Sequence, residues 1–118
     1  MQSALSLRES DIIITTSNEI PGYRIVKVLG VVLGITVRSR GFGGRLMAGL
    51  RALVGGEIKE FTEMSEQARI QAISRMVERA RELGANAVIA FRLDSNEIAE
   101  TMDEIIAYGT AVLVEPVG

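Results

Sequence analysis

Cysteine, histidine and tryptophan are all missing from this 118-residue chain. Histidine is the side chain that titrates nearest neutral pH, so its absence removes the usual general base. Without cysteine there is no thiolate nucleophile, no disulfide and no soft ligand of the kind that selects heavy metals. Any catalysis would fall to carboxylates, lysine, tyrosine or hydroxyls. Aromatic residues are few, three Phe and two Tyr, so the core must be aliphatic, filled out with alanine and glycine. No apolar run approaches the roughly 18 residues that span a bilayer. Residues 1–10 lack a basic flank and an apolar stretch, and they read as a frayed extension rather than a secretory leader. With no cysteine to suggest an oxidising compartment, the expected location is the cytoplasm, with no membrane partner.

What is present describes an ordinary globular chain. Hydrophobic residues make up 47% and charged residues 24%, and the length suits one domain, here residues 11–118. The net charge of −2 argues against a nucleic-acid partner held by phosphate neutralisation. A lone Gly41-Phe42-Gly43-Gly44-Arg45 stretch is too little to read as an RGG-type RNA segment.

Asp11 to Thr16 reads as a short strand, and Pro21-Gly22 suits the centre of a type II turn. Tyr23 to Ser39 is the longest β-type stretch. Ile25, Leu29, Val31, Leu33, Ile35 and Val37 share one parity, while Val26, Val28 and Val32 hold the other. Both faces are apolar from Ile25 to Val32, so both are expected to be covered. Gly30 and Gly34 mark bends or bulges. Lys27 interrupts the apolar parity without an evident reason. Arg45 to Val54 is patterned as a short helix ending at Gly55-Gly56.

Phe61 to Leu83 is patterned as a long helix. Thr62 is the expected N-cap and Gly84 the residue past the end. Its apolar face is Met64, Ala68, Ala72, Ile73, Met76, Ala80 and Leu83; Arg69, Arg75, Glu78, Arg79 and Glu82 form a solvated side. Ala87 to Leu93 alternates as a strand with Ala87, Ile89, Phe91 and Leu93 on one face. Asp94-Ser95-Asn96 opens a loop, and Met102 to Glu115 is the last strand. The order β-β-α-α-β-β, with two strands in succession after a long helix, gives an α+β single domain. Its sheet is expected to be curved and mostly antiparallel, with one long and one short helix.

Three constellations are candidate sites. Arg38, Arg40, Gly43, Gly44 and Arg45 flank or form a strand-to-helix turn whose amides could bind an anion. The turn satisfies neither the Walker nor the dinucleotide fingerprint. Asp94, Glu97, Glu100, Asp103 and Glu104 gather carboxylates that suit only hard cations, at spacings unlike an EF-hand, and a solvated hairpin loop is the simpler reading. Asn18, Glu19, Asn86, Arg92 and Tyr108 are polar residues beside apolar strands, candidates for binding a small ligand. Arg92 needs a carboxylate or carbonyl partner if buried. Glu19, Lys27, Lys59 and Tyr108 are the available acid–base groups, but no orienting third residue accompanies them. The chain is therefore expected not to be an enzyme, and no cofactor is implied.

Thr15-Thr16-Ser17-Asn18-Glu19-Ile20-Pro21-Gly22 resembles the TTxxxIPG signature of the YbjQ-like family. Gly55-Gly56-Glu57, Ala68-Arg69, Arg75-Met76, Leu83-Gly84-Ala85-Asn86-Ala87-Val88 and Ala107-Tyr108-Gly109-Thr110-Ala111-Val112 resemble its later blocks in the same order. The resemblance implies a small cytoplasmic α+β protein, similar to dodecin subunits, that forms a homo-oligomeric ring of five. It also brings a heavy-metal-binding label. Thioethers from Met47, Met64, Met76 and Met102 are the only soft donors here, and Met64 and Met76 fall on the apolar helix face, so no heavy-metal site is expected.

Overall fold

The computed structural model describes residues 12–39 and 59–118, except the side chains of 59–62 and 64. Residues 1–11, the glycine loop with Arg40, Gly43, Gly44 and Arg45, and the short helix expected over Arg45 to Val54 lie outside the described residues. Within them the order is β1 (Ile13–Ile14), β2 (Tyr23–Ser39), α1 (Lys59–Glu82), β3 (Ala87–Ala99) and β4 (Met102–Pro116). The four strands form one sheet in the order β1-β3-β4-β2. β4 pairs antiparallel with both β2 and β3, and β1 pairs parallel with β3. The α+β, mostly antiparallel architecture agrees with the sequence reading.

Local chemistry sets the element ends. Ile20-Pro21-Gly22-Tyr23 closes with Tyr23 N–H donating to the Ile20 carbonyl at 3.0 Å, and Gly22 supplies the positive φ of 88°. The helix terminates in a Schellman motif. Ala85 N–H reaches the Ala80 carbonyl at 3.0 Å and Gly84 N–H reaches Arg81 at 2.9 Å. Gly84 takes φ 86° to make that reversal, and Ala80 and Ala85 are both buried behind it. Thr62 is not the N-cap, because the helix already includes Lys59.

Helix and sheet meet through small residues. Ala68, Ala72, Met76 and Ala80 recur every four positions and are buried, as is Val77. Opposite them, a Cβ on Gly34 would stand 2.0 Å from the Ala72 carbonyl oxygen and 2.4 Å from the Met76 nitrogen. Gly34 is therefore a contact point rather than a bulge. The bulges of β2 fall between Ile25 and Lys27 and between Val28 and Gly30, with Gly30 at φ 136°. Leu83, expected on the apolar face, is exposed, since the helix ends there and the chain turns away; Val77 takes the place in the core.

β3 departs most from expectation. It does not stop at Leu93 but continues through Asp94, Ser95 and Asn96 to Ala99, paired with β4 up to a two-residue turn at Glu100 and Thr101. Ladder bonds to β4 outweigh the turn propensity of these polar residues, whose side chains are exposed. A second correction concerns its faces. The register shifts between Ile89 and Arg92, so that Ala90 and Phe91 together oppose Gly109, and Ala90 adopts φ 54°. This bulge reverses the parity. Val88, Phe91 and Leu93 pack under the helix with Ala107 and Ala111, whereas Ala87 and Ile89 lie on the opposite face with Val112 and Val114.

Two substitutions probe the helix–sheet contact by chemical denaturation. Gly34→Ala inserts an atom against helix backbone and lowers stability by about 3 kcal/mol or more. Thr36 is 2% exposed and its Oγ1 has no partner among the described residues. Thr36→Val removes the stranded hydroxyl and raises stability by about 1–2 kcal/mol.

Candidate functional site

Cross-strand pairing defines which residues share the face opposite α1. Val28 pairs with Val112, Val31 with Thr110, Leu33 with Tyr108, Ile35 with Ile106 and Val37 with Glu104; on the other side Arg92 pairs with Tyr108 and Asp94 with Ile106. At one end this open face has its own cover. Ile13 and Ile20, the latter from the loop before β2, pack on Ala87, Ile89, Val112 and Val114. Along β2 nothing in the described residues covers it. Ile25, Val28, Val31, Leu33, Ile35 and Val37 are exposed, from 39% for Ile25 to 72% for Val31. The buried parity of β2 is the less hydrophobic one, Val32, Gly34 and Thr36. Among the described residues, then, the helix covers one face of β2 and leaves the other exposed.

The loop 15–17 is wired to the β3 bulge by three successive carbonyls. Phe91 N–H donates to Thr15 at 3.0 Å and Ala90 N–H to Ser17 at 2.9 Å. Between them, Arg92 Nη1 donates to Thr16 at 3.0 Å and also to the Phe91 carbonyl at 2.7 Å. The hydroxyls of Thr15 and Ser17 lie 2.8 Å apart, and Ser17 Oγ donates to the Glu19 carbonyl at 2.7 Å. Asn18 and Glu19 are exposed on this loop. Gly109 is what lets the bulge approach, since a Cβ there would meet Val88 Cγ1 at 2.6 Å.

The five candidate ligand residues therefore separate. Arg92 and Tyr108 are cross-strand neighbours on the open face, close to the loop that carries Asn18 and Glu19. Asn86 stands apart at the start of β3. Its Nδ2 donates to the Val114 carbonyl at 2.9 Å and its Oδ1 accepts from Val114 N–H at 2.8 Å, so the amide extends the ladder in place of a residue. Arg38, from the candidate anion loop, donates to Gln71 Oε1 on the helix at 2.8 Å.

One partner escaped the sequence reading. Tyr108 donates its hydroxyl to Asp94 Oδ2 at 2.9 Å. That bond, partial burial and the carboxylate's charge raise the phenol above its ordinary value, with Arg92 opposing. A sequence that places Asp94 in a loop cannot bring the two together; the β3 register does.

The outer edge of β2 carries a second feature. A groove of about 660 Å³ runs between that edge and the helix, lined by Leu33, Ile35, Arg75, Glu78, Arg79 and Glu82. Arg75 Nη1 donates to the Ile35 carbonyl at 2.6 Å.

Among the described residues, one helix layered on one face of a four-stranded mixed sheet is the architecture of a small α+β protein. The chain belongs to the YbjQ family, whose model, described as "Putative heavy-metal-binding", matches residues 12–115. It is 69% identical to a UPF0145 protein of Sulfurisphaera tokodaii over 93% of this chain and 96% of the relative. It is 59% identical to UPF0145 protein Ta0182 of Thermoplasma acidophilum over 92% and 91%. A crystal structure of a Pediococcus pentosaceus protein of unknown function, of the DUF74 family, shares the fold with a TM-score of 0.62 at 18% identity. It covers 88% of this chain and 98% of that one.

The donor set does not fit the metal in the family description. The chain has neither Cys nor His, and among the described residues no three carboxylates converge to hold an ion. Asp94, Glu97, Asp103 and Glu104 are instead distributed along the two strands of the hairpin, with Glu100 in its turn. Among the described residues no helix is long and apolar enough to cross a membrane.

The Tyr108–Asp94 bond makes a pH prediction. The raised folded value means that its stabilisation is present below about pH 10, the unfolded phenol's range, and is lost as pH rises through the folded value. In a Tyr23→Phe background, phenolate absorbance should titrate at lower pH when Asp94→Ala is added. Stability of that variant should also fall less steeply in alkali.

Proposed function

We propose that this protein works as a non-enzymatic homo-oligomer, a ring whose subunits meet through the open face of the sheet. A small ligand or protein partner would be held where Arg92 and Tyr108 border that contact, beside the loop of Asn18 and Glu19. The observation that carries the reading is the row of six exposed aliphatic side chains on β2. Contiguous apolar surface of this kind marks an interaction site. Burying a Val, Leu or Ile side chain stabilises by roughly 1.5–3 kcal/mol, so a row of them strongly favours assembly. Five subunits is the number implied by the family resemblance, and the cytoplasm is the proposed location. The absence of imidazole and thiol, and of a general base with an orienting partner, supports a binding role over catalysis.

Native mass spectrometry of gently purified protein tests this. The expected species is a multiple of the 12.8 kDa chain, carrying any bound ligand as extra mass. Val28→Asp with Val31→Asp, both pointing away from the helix, should abolish ring closure while leaving the far-ultraviolet circular dichroism of the subunit unchanged. A wild-type protein that stays monomeric at micromolar concentration overturns the proposal.

A further inference from the structure

β2 is an edge strand of 17 residues, and long apolar edges are normally covered, shortened or charged. The Ile35 carbonyl accepts from Arg75, so it points off the edge, away from β4. Residues two apart share that direction, which turns the N–H and C=O groups of Val31, Leu33 and Val37 outward as well. Among the described residues no strand pairs with them, since β4 is the only described neighbour of β2.

Above this edge stand Arg75, Glu78, Arg79 and Glu82. Their spacing of three, four and seven places them on one flank of α1. Both i,i+4 pairs, Arg75 with Arg79 and Glu78 with Glu82, are like-charged, which disfavours an isolated helix. Glu78 also lies 3.9 Å from Arg81, a loose exposed pair. Read in either direction, the four charges are complementary. An antiparallel copy of the same flank sets Arg75 opposite Glu82 of the partner subunit and Glu78 opposite Arg79 of the partner subunit, and each pair recurs across the axis. The sequence reading took these residues for a solvated face. The structure places them beside a strand edge that is unpaired among the described residues.

We propose that the β2 edge and the α1 flank form an isologous contact between two copies of this chain, the two β2 strands pairing antiparallel about a two-fold axis through the Val31–Leu33 stretch. The two sheets then join into one of eight strands. Because α1 lies chiefly on β2 and β4, a strand spacing of about 4.8 Å brings the two helices to about 10 Å, an ordinary packing distance. Arg75 need not leave, since the Ile35 carbonyl has a second lone pair. This inference rests on the homo-oligomeric reading but uses a different surface. A two-fold contact saturates in a pair, so it joins two rings of five into ten copies, or yields a dimer where the ring is broken.

The test is native mass spectrometry on two charge variants of the full chain. Arg75→Glu with Arg79→Glu makes the flank wholly acidic; Glu78→Arg with Glu82→Arg makes it wholly basic. All four positions are exposed, so the fold should survive in both. Each variant alone should lose even-numbered species, with pairing weakened more than ~10-fold by like-charge contact. Mixed in equal amounts, the two should recover them as mixed pairs. As a second readout, Val31→Cys and Leu33→Cys chains mixed in equal amounts should form a mixed covalent dimer on mild oxidation, since the chain has no other cysteine and the two-fold sets position 31 of one copy directly opposite position 33 of the other. A wild-type pentamer with no even multiple overturns the two-fold contact and leaves the ring standing, as do variants that each assemble like wild type. A bare wild-type monomer overturns both.

Discussion

The contact between Gly34 and the backbone of Ala72 and Met76 is the constraint on which the rest depends. An aliphatic chain poor in aromatics cannot fill a wide gap between layers, so it closes the gap by bringing backbone against backbone. Ala68, Ala72 and Ala80, on the helix stripe they share with Met76, permit it. Seating the helix on the even-numbered residues of β2 then determines everything on the other side. Val31, Leu33, Ile35 and Val37 must face away from the only helix described. The same seating draws α1 toward the sheet edge, where Arg75 reaches the Ile35 carbonyl.

Elements with local determinants were legible in the sequence. The long helix, the Pro21-Gly22 turn, the Gly84 reversal and the last strand each rest on a few neighbouring residues whose chemistry leaves little choice. Their assembly was less so. Periodicity showed that both faces of β2 are apolar but could not say which one the helix takes, because that choice depends on a glycine without a side chain. The extension of β3 through Asp94 to Ala99 comes from pairing with β4, a non-local term that outweighs local turn preference. Arg92, expected to need a carboxylate or carbonyl partner if buried, is exposed and donates to the Thr16 and Phe91 carbonyls, a choice that the bulge makes. The Tyr108–Asp94 pair depends on register alone.

Family membership and donor chemistry point in different directions. The family description names heavy metals, while this chain offers carboxylates spread along a hairpin and thioethers, of which Met76 is buried against the sheet. What the described residues offer in quantity is an exposed apolar sheet face, a strand edge unpaired among them and a helix flank whose run of charge is complementary to its own reverse. Two of the five polar residues that first suggested a ligand site hold backbone. Asn86 completes the ladder beside Val114, and Arg92 secures the loop at Thr16.

The bulge at Ala90 and Phe91 has a consequence for how the chain can change length. One extra residue there inverts every side chain beyond it, so that Leu93 meets the helix while Arg92 and Asp94 face outward. Deleting a residue between Val88 and Leu93, or inserting another, would return Arg92 and Asp94 to the packed layer and expel Phe91 and Leu93. The stretch therefore behaves as a parity counter. An alteration in length that a surface turn such as Glu100-Thr101 would absorb is, ten residues earlier, incompatible with the fold.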